Sequence, residues 1–267
     1  MESPALDGRH DGVRATARTH DPKGCGMNEA DLAMARRKPR SLAISIAYRL
    51  MRAARFVFGA KFVLRFFLNV AWLAWRLAFE LASDVLGRKF QTDARGIPEE
   101  LLREFVSPGA TVLDAGCGPG RWTRIAARYA SRVTGVDTNA DAIREALRET
   151  TETNVEYIAG NLVNVIGQRH FDVALLVHVL EHIEDVDSFL QMMARAADTL
   201  IIEVPNFEAD ALNAVRHQLG CRFYADADHV REYTPSILRE QLMRNHLDIV
   251  REEQNRGSII AVVRSHA

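Results

Sequence analysis

Three glycines at alternate positions, Gly116, Gly118 and Gly120, follow an apolar run from Val112 to Ala115 that carries one carboxylate, Asp114. The chemistry open to such a segment is ligand cradling. Without β-carbons the backbone can turn sharply, adopt positive φ and approach a bound molecule closely, while Asp114 sets an acceptor at the edge of the turn. Spacing excludes two loops of this general kind. A dinucleotide fingerprint has its third glycine one position later, where this chain has Arg121. A phosphate loop requires Gly-Lys-Ser or Gly-Lys-Thr, where the chain reads Gly120-Arg121-Trp122. A second apolar run, Arg132 to Asp137, also ends in a carboxylate, placed to accept both hydroxyls of a ribose. A third, Asn154 to Ala159, leads into Gly160-Asn161-Leu162, and a fourth, Phe171 to Val177, into His178-Val-Leu-Glu181-His182.

Taken together, these four segments resemble the class I S-adenosylmethionine-dependent methyltransferases, over the stretch from about Ile97 to the C-terminus. The resemblance implies S-adenosyl-L-methionine as cofactor and O-methylation of a small or membrane-linked metabolite. Carried to this chain's positions, it puts the methionine part of the cofactor against Asp114, Gly116, Cys117, Gly118 and Gly120. It puts the ribose on Asp137 with Thr138 beside it, the adenine on Asn161 with Leu162, and the sulfonium end beside His178. The family more often has aspartate where Asn161 stands, but an amide oxygen can still accept from the adenine amino group. Two rival readings are a nicotinamide oxidoreductase, which the glycine spacing opposes, and a catalytically silent methyltransferase-like adaptor at a membrane, which the intact Asp114, Gly116, Gly118 and Asp137 oppose.

His178, Glu181 and His182 match a zinc-peptidase pattern letter for letter. That chemistry wants its ligands on one helix face, whereas this segment follows a buried strand and reads as a turn and a short helical start. Some ubiquinone-pathway O-methyltransferases bind a divalent metal through Glu-x-x-Glu-His at this place. Here His178 replaces the first glutamate, so no metal is expected, and Glu181 and His182 are expected to make structural hydrogen bonds. Methyl transfer to a hydroxyl calls for a base, and His178, His182 and His229 are the candidates. His229 enters because Asp226 to Thr234 falls where related enzymes have a substrate-side loop. Cys117, between two loop glycines, is expected to be a small filler and not a nucleophile.

The elements that position these residues alternate. Strands near 111, 133, 155, 172 and 199 are separated by helical segments such as Arg121 to Tyr129 and Val186 to Ala197, which predicts an α/β, doubly wound, Rossmann-like sheet. Thr234-Pro235 marks a further helix start, with threonine as N-cap and proline at the first helical position. Leu247 to Val250 and Ser258 to Arg264 read as closing strands, and the resemblance makes the last one antiparallel.

At 267 residues and 48% hydrophobic, the chain exceeds one mid-sized domain, and the excess is N-terminal. Residues 1 to 90 carry 16 of the 34 basic groups and 8 of the 35 acidic ones, so the extension is basic and the remainder acidic. The acidic part lacks the basic stripe of a nucleic-acid groove, so a small or lipid-linked acceptor is expected and nucleic acid is not. The first segment, 1–40, lacks apolar periodicity and is expected to be a disordered basic tail. Its acids and the want of an apolar leader disfavour a transit or signal peptide. Three widely spaced cysteines, Cys25, Cys117 and Cys221, point to a reducing, cytoplasmic setting.

Segment 41–90 differs: apolar runs without proline, interrupted by Arg49, Arg52, Arg55, Lys61, Arg65 and Arg76, predict helix. Lys61, Arg65, Asn69, Arg76 and Glu80 share one stripe, with Phe62, Phe66, Trp72, Trp75 and Phe79 on the remainder. The longest uncharged stretch, Phe66 to Trp75, is half of the roughly 20 residues that a spanning helix requires, so no span is expected. Either the helix lies in a membrane interface, at the inner face, attracted with the Arg36 to Arg40 cluster by anionic lipid, or it is a lid over the domain at 91–267.

Overall fold

The computed structural model describes residues 41–94, 96–167, 169–221, 228–255 and 257–265. The expectations for the tail at 1–40, its Arg36 to Arg40 cluster, Cys25, Asp226 and Ala227 lie outside these residues.

Two helices open the described chain: α1 (Leu42–Phe58) and α2 (Ala60–Ala94). They are separated at Gly59, whose φ of +83° ends α1. The absence of proline left this break invisible in the sequence. The chain divides into two compact units, Met1–Arg49 and Leu50–Ala267, so α2 groups with the sheet.

Alternation of strand and helix then runs as expected: α3 (Glu99–Phe105), β1 (Thr111–Ala115), α4 (Arg121–Ala126), β2 (Arg132–Asp137), α5 (Ala140–Glu149), β3 (Val155–Ala159), α6 (Leu162–Ile166), β4 (Phe171–Val177), α7 (Val186–Ala196), β5 (Ala197–Pro205), α8 (Leu212–Gln218), α9 (Pro235–Arg244), β6 (Leu247–Asn255) and β7 (Ser258–Ser265). The strands form one sheet in the order β3-β2-β1-β4-β5-β7-β6. The first five are parallel, and β7 lies antiparallel to both of its neighbours. The doubly wound fold is therefore present, with the antiparallel strand inserted inside the edge.

Strand pleating explains the double burial. In β4, Ala174 and Leu176 point into one apolar cluster with Leu190, Met193 and Leu242, while Val173, Leu175 and Val177 point into the other with Leu101, Leu102 and Ala126. A strand covered on both faces reads as a continuous apolar run, as Phe171 to Val177 does. Thr234 accepts from Ile237 N at 3.2 Å and Pro235 occupies the first turn of α9, as the sequence predicts. α4 ends at Ala126, three residues before the predicted Tyr129, in a run of tight turns.

Tyr157 of β3 holds the first loop from below. Its hydroxyl lies 3.3 Å from Gly120 O and 2.9 Å from Thr150 Oγ1. A β-carbon on Gly120, at φ +77°, would stand 2.7 Å from Tyr157 Cζ and 2.9 Å from Ala146 Cβ. Gly120→Ala is therefore expected to destabilise the fold by about 2 kcal/mol or more, through left-handed strain plus a clash, measured by urea unfolding. An unchanged midpoint would show that this packing yields freely.

Candidate active site

The motifs converge outside the carboxyl ends of the parallel strands. Gly116 N and Cys117 N both donate to Val136 O, at 2.8 and 3.0 Å, so the first loop folds back across β2. Asp137 completes the tie: Oδ2 accepts from Gly118 N and Oδ1 from Asn139 N, both at 2.7 Å. Each carboxylate oxygen keeps further lone-pair capacity for a ligand hydroxyl. Thr138 beside it is exposed. A β-carbon on Gly118, at φ +51°, would meet nothing within 4 Å, so space stands open over that residue.

Asp114 is buried and accepts from Thr123 Oγ1 at 2.6 Å. Burial pushes its carboxyl up to about 6, against the pull of the Thr123 hydrogen bonds. Thr123 was missed at the sequence level, although a hydroxyl two residues into α4 is well placed to steady an acid at the end of β1. Cys117 is buried, and burial with the nearby Asp114 raises its thiol far above the usual range. A thiol so raised has little thiolate to act as a nucleophile.

Asn161 caps α6, its side chain accepting from Val163 N at 2.9 Å. Its oxygen thus serves the helix, with a second lone pair directed elsewhere. Leu162 is half-buried beside it.

His178 departs from simple expectation. It sits at φ +54°, in the left-handed region, where a residue with a β-carbon is strained. Its Nδ1 lies 3.0 Å from Glu181 Oε1 and its Nε2 3.7 Å from Glu203 Oε1, and both carboxylates are buried. Burial raises the Glu203 carboxyl above its ordinary value, with the nearby imidazole opposing. Nδ1 is thus held by Glu181, while Nε2 is buried without a hydrogen-bond partner among the described residues. Glu203 lies inside the apolar run of β5 and was missed; an acid within a fully buried strand is the signal that could have found it.

His182 and His229 come together, ring centroids 4.9 Å apart and edge to face. His182, exposed on the 3-10 turn Leu180–His182, directs Nδ1 at Asp228 O, 3.3 Å away. A carbonyl can only accept, so Nδ1 carries the proton of the neutral ring and Nε2 is left basic. His229 is nearly buried and has Glu232 Oε1 3.3 Å from Nδ1. The segment that carries His229 is anchored on this turn: Val230 N donates to Glu181 O, and Arg231 Nη2 to Ile183 O and Glu184 O. Glu181, His182 and His229 also offer ligand atoms within 4.8 Å of one another, a grouping able to hold a metal ion. Both histidine Nδ1 atoms and Glu181 Oε1 already face protein partners.

Comparison with known proteins supports a specific class. A family model described as a methyltransferase domain matches residues 87–252. The ubiquinone biosynthesis O-methyltransferase of Nitrobacter winogradskyi is 28% identical over 188 residues, 66% of this chain and 68% of that one. The protein of the same name from Methylocella silvestris is 32% identical over 111 residues, 40% of this chain and 43% of its own. Among solved structures, a DhpI–SAH complex has a TM-score of 0.52 at 22% identity, covering 73% of this chain and 94% of that one. Magnesium protoporphyrin IX methyltransferase from Synechocystis with bound SAH has a TM-score of 0.50 at 17% identity, covering 69% and 97%. At these identities the likeness to solved structures is one of fold.

Two expectations follow. In the unfolded chain Asp114 ionises near 3.8 and in the folded chain at about 6. Between these values the native state holds a proton that the unfolded state has released, so stability falls as pH rises through the window, by up to about 3 kcal/mol. Asp114→Asn, which can still accept from Thr123, should flatten that fall in urea titrations from pH 4 to pH 7; a persistent slope would mean that Asp114 is not its source. Asp137→Ala should weaken S-adenosylmethionine binding by about 1.5 to 3 kcal/mol, the loss of hydrogen bonds to a charged acceptor, read by calorimetry. Wild-type affinity would place the ribose elsewhere.

Proposed function

We propose, from the premise that this chain belongs to the methyltransferase domain family and is an S-adenosylmethionine-dependent methyltransferase, that it O-methylates a small, hydroxyl-bearing metabolite. The observation that carries the reading is the pair of carboxylates, Asp114 and Asp137, ending adjacent parallel strands beside the open space over Gly118. These residues fit an adenosyl cofactor. Asp137, with Thr138 beside it, would take the ribose hydroxyls, and Asn161 with Leu162 the adenine. Asp114, Gly116, Cys117, Gly118 and Gly120 would line the methionine part. His178, fixed by Glu181 and Glu203, would close the sulfonium end.

The bound cofactor supplies a methyl group on a positively charged sulfur. The protein's share is alignment of the acceptor and exclusion of water. His182 takes the acceptor's proton on Nε2, with His229 packed against its ring and Glu232 steadying His229. The acceptor class is supported by the names of the relatives, ubiquinone biosynthesis O-methyltransferases. No resident metal is invoked. His182→Gln should lower kcat by about 100-fold or more, within the range for a positioned general base, and leave cofactor affinity unchanged. Full activity in that variant would remove His182 from the reaction. Activity should also survive EDTA; loss on chelation and recovery with magnesium would make Glu181, His182 and His229 a metal centre. The reading as a whole is tested by incubating the protein with methyl-labelled S-adenosylmethionine and a cell extract. An alkali-stable, small-molecule methyl ether is expected, and label confined to protein or nucleic acid would contradict it.

We further propose a cytoplasmic enzyme in three parts, a basic tail at 1–40, a helical extension at 41–90 and the methyltransferase domain at 91–267, that touches an anionic membrane through the extension. In α1 and α2 the apolar side chains Leu50, Phe56, Phe58, Phe62, Phe66 and Leu77 are exposed. By length and composition alone, Ala60–Leu86 is apolar enough to cross a membrane. Arg76, counted in the sequence as an interruption, approaches Glu80 to 3.9 Å as an i,i+4 pair, which lowers its cost. Surface contact is favoured over a span because Trp72 and Trp75, midway along this stretch, share a cleft with Asn206, Asp210, Asn213 and Arg216. Flotation with anionic liposomes should fall as salt rises, by screening, and the protein should be released by alkaline carbonate. Retention in carbonate would establish a span, and indifference to liposomes at low salt would leave the lid.

A further inference from the structure

The cleft between α2 and the segment after β5 has a volume of about 500 Å³ and two unlike walls. One is apolar, formed by Ala71, Trp72 and Trp75 of α2; the other carries Asn206, Asp210, Asn213 and Arg216. Trp75 is 55% exposed and stacks on Phe79 at 5.5 Å. Arg216 is buried, and its guanidinium is used on one side: Nη1 donates to Asp210 Oδ2 at 2.9 Å and to Asn213 Oδ1 at 3.3 Å. Its Nε is buried and, among the described residues, has no hydrogen-bond partner. A buried donor left unmade costs about 1–3 kcal/mol, and here the donor belongs to a cation on a cleft wall. Asp210, the carboxylate paired with it among the described residues, has a half-exposed side chain, so water screens that charge.

Position ties this cleft to the reaction. Asn206 follows β5 directly, three residues after Glu203, which faces His178. Three residues of extended chain span about 10 Å. Asn206 is held in place by a bridge to Tyr233 and by Gly257 O, which accepts from its N–H at 2.8 Å. Val70, Leu73 and Leu77, exposed on the same helix, lie on its opposite face.

We propose that this cleft binds an amphiphile, a single alkyl chain carrying an anionic oxygen head, as the methyl acceptor or a part of it. The chain lies against Trp72 and Trp75. The head accepts from the Nε edge of Arg216, whose planar fork suits carboxylate and phosphate groups. The proposal rests on the O-methylation reading for the acceptor role only, since the binding chemistry belongs to the cleft itself.

The test uses the full chain and dodecyl phosphate below its micelle concentration, with inorganic phosphate and dodecanol as the two halves of the probe. Binding is followed by tryptophan emission and by quenching with a chain-brominated analogue, and binding of the demethylated cofactor product is measured on the same samples as the control for folding. Saturable binding of dodecyl phosphate is expected, at least tenfold tighter than either half. It should weaken tenfold or more in Arg216→Lys, which keeps the charge and loses the fork, and in Trp75→Ala, an exposed position that keeps the fold. Should Arg216→Lys lose the folding control, Trp75→Ala decides alone. Unsaturable partition, or affinity unchanged in a folded variant, overturns the proposal. Inorganic phosphate binding as tightly as the probe overturns it as well, by leaving an anion site without a chain. Because the readout is binding and not turnover, a protein that takes the probe here yet methylates no hydroxyl would refute the O-methylation and leave the cleft standing.

Discussion

The carboxylate of Asp137 is the fastening on which the site depends. Two backbone N–H groups, Gly118 and Asn139, donate to its two oxygens at 2.7 Å each. One belongs to the loop after β1 and the other to the turn that starts α5. A charge-assisted hydrogen bond is roughly twice as strong as a neutral one, so a single side chain fixes two loops relative to each other. Val136 O adds two more bonds from the same loop. The open space over Gly118 exists because the loop is held down on β2. A ribose whose hydroxyls donate to Asp137 would therefore bind to a group already oriented, without an ordering cost to the side chain.

This arrangement accounts for what could be read in the sequence. Glycines at positive φ and acids at strand ends are positions where only a few residue types serve, so Gly116, Gly118, Gly120, Asp114 and Asp137 announce themselves by type and spacing. The sheet was legible for a related reason. Strands buried on both faces, such as Phe171 to Val177, show as unbroken apolar runs, and Thr234-Pro235 marks a helix start through local chemistry alone.

Contacts between distant segments were not legible. Thr123 under Asp114, Tyr157 under Gly120 and Glu203 beside His178 each join residues from separate elements, and no local pattern encodes them. His178 shows the consequence. Its neighbours in sequence suggested a base near the sulfonium, and the structure sets it against two buried carboxylates from separate elements, Glu181 on Nδ1 and Glu203 3.7 Å from Nε2. Along α2 the charges are spaced widely enough that, by length and composition, Ala60–Leu86 is apolar enough for a bilayer, although its longest uncharged stretch is short. Helix α2 is also where sequence periodicity was least informative, because apolar side chains cover all of it outside one polar stripe and mark no narrower face for burial.

The central claim, that the loop fastened by Asp137 is an adenosyl-sulfonium site and neither a dinucleotide nor a nucleotide site, is tested most directly by calorimetric titration of the purified chain. Separate titrations would use S-adenosylmethionine, its demethylated product, NAD and ATP. Saturable binding of the first two, and none of comparable affinity for the others, is the predicted result. Tight binding of NAD with no response to either sulfur compound would contradict the account at its base.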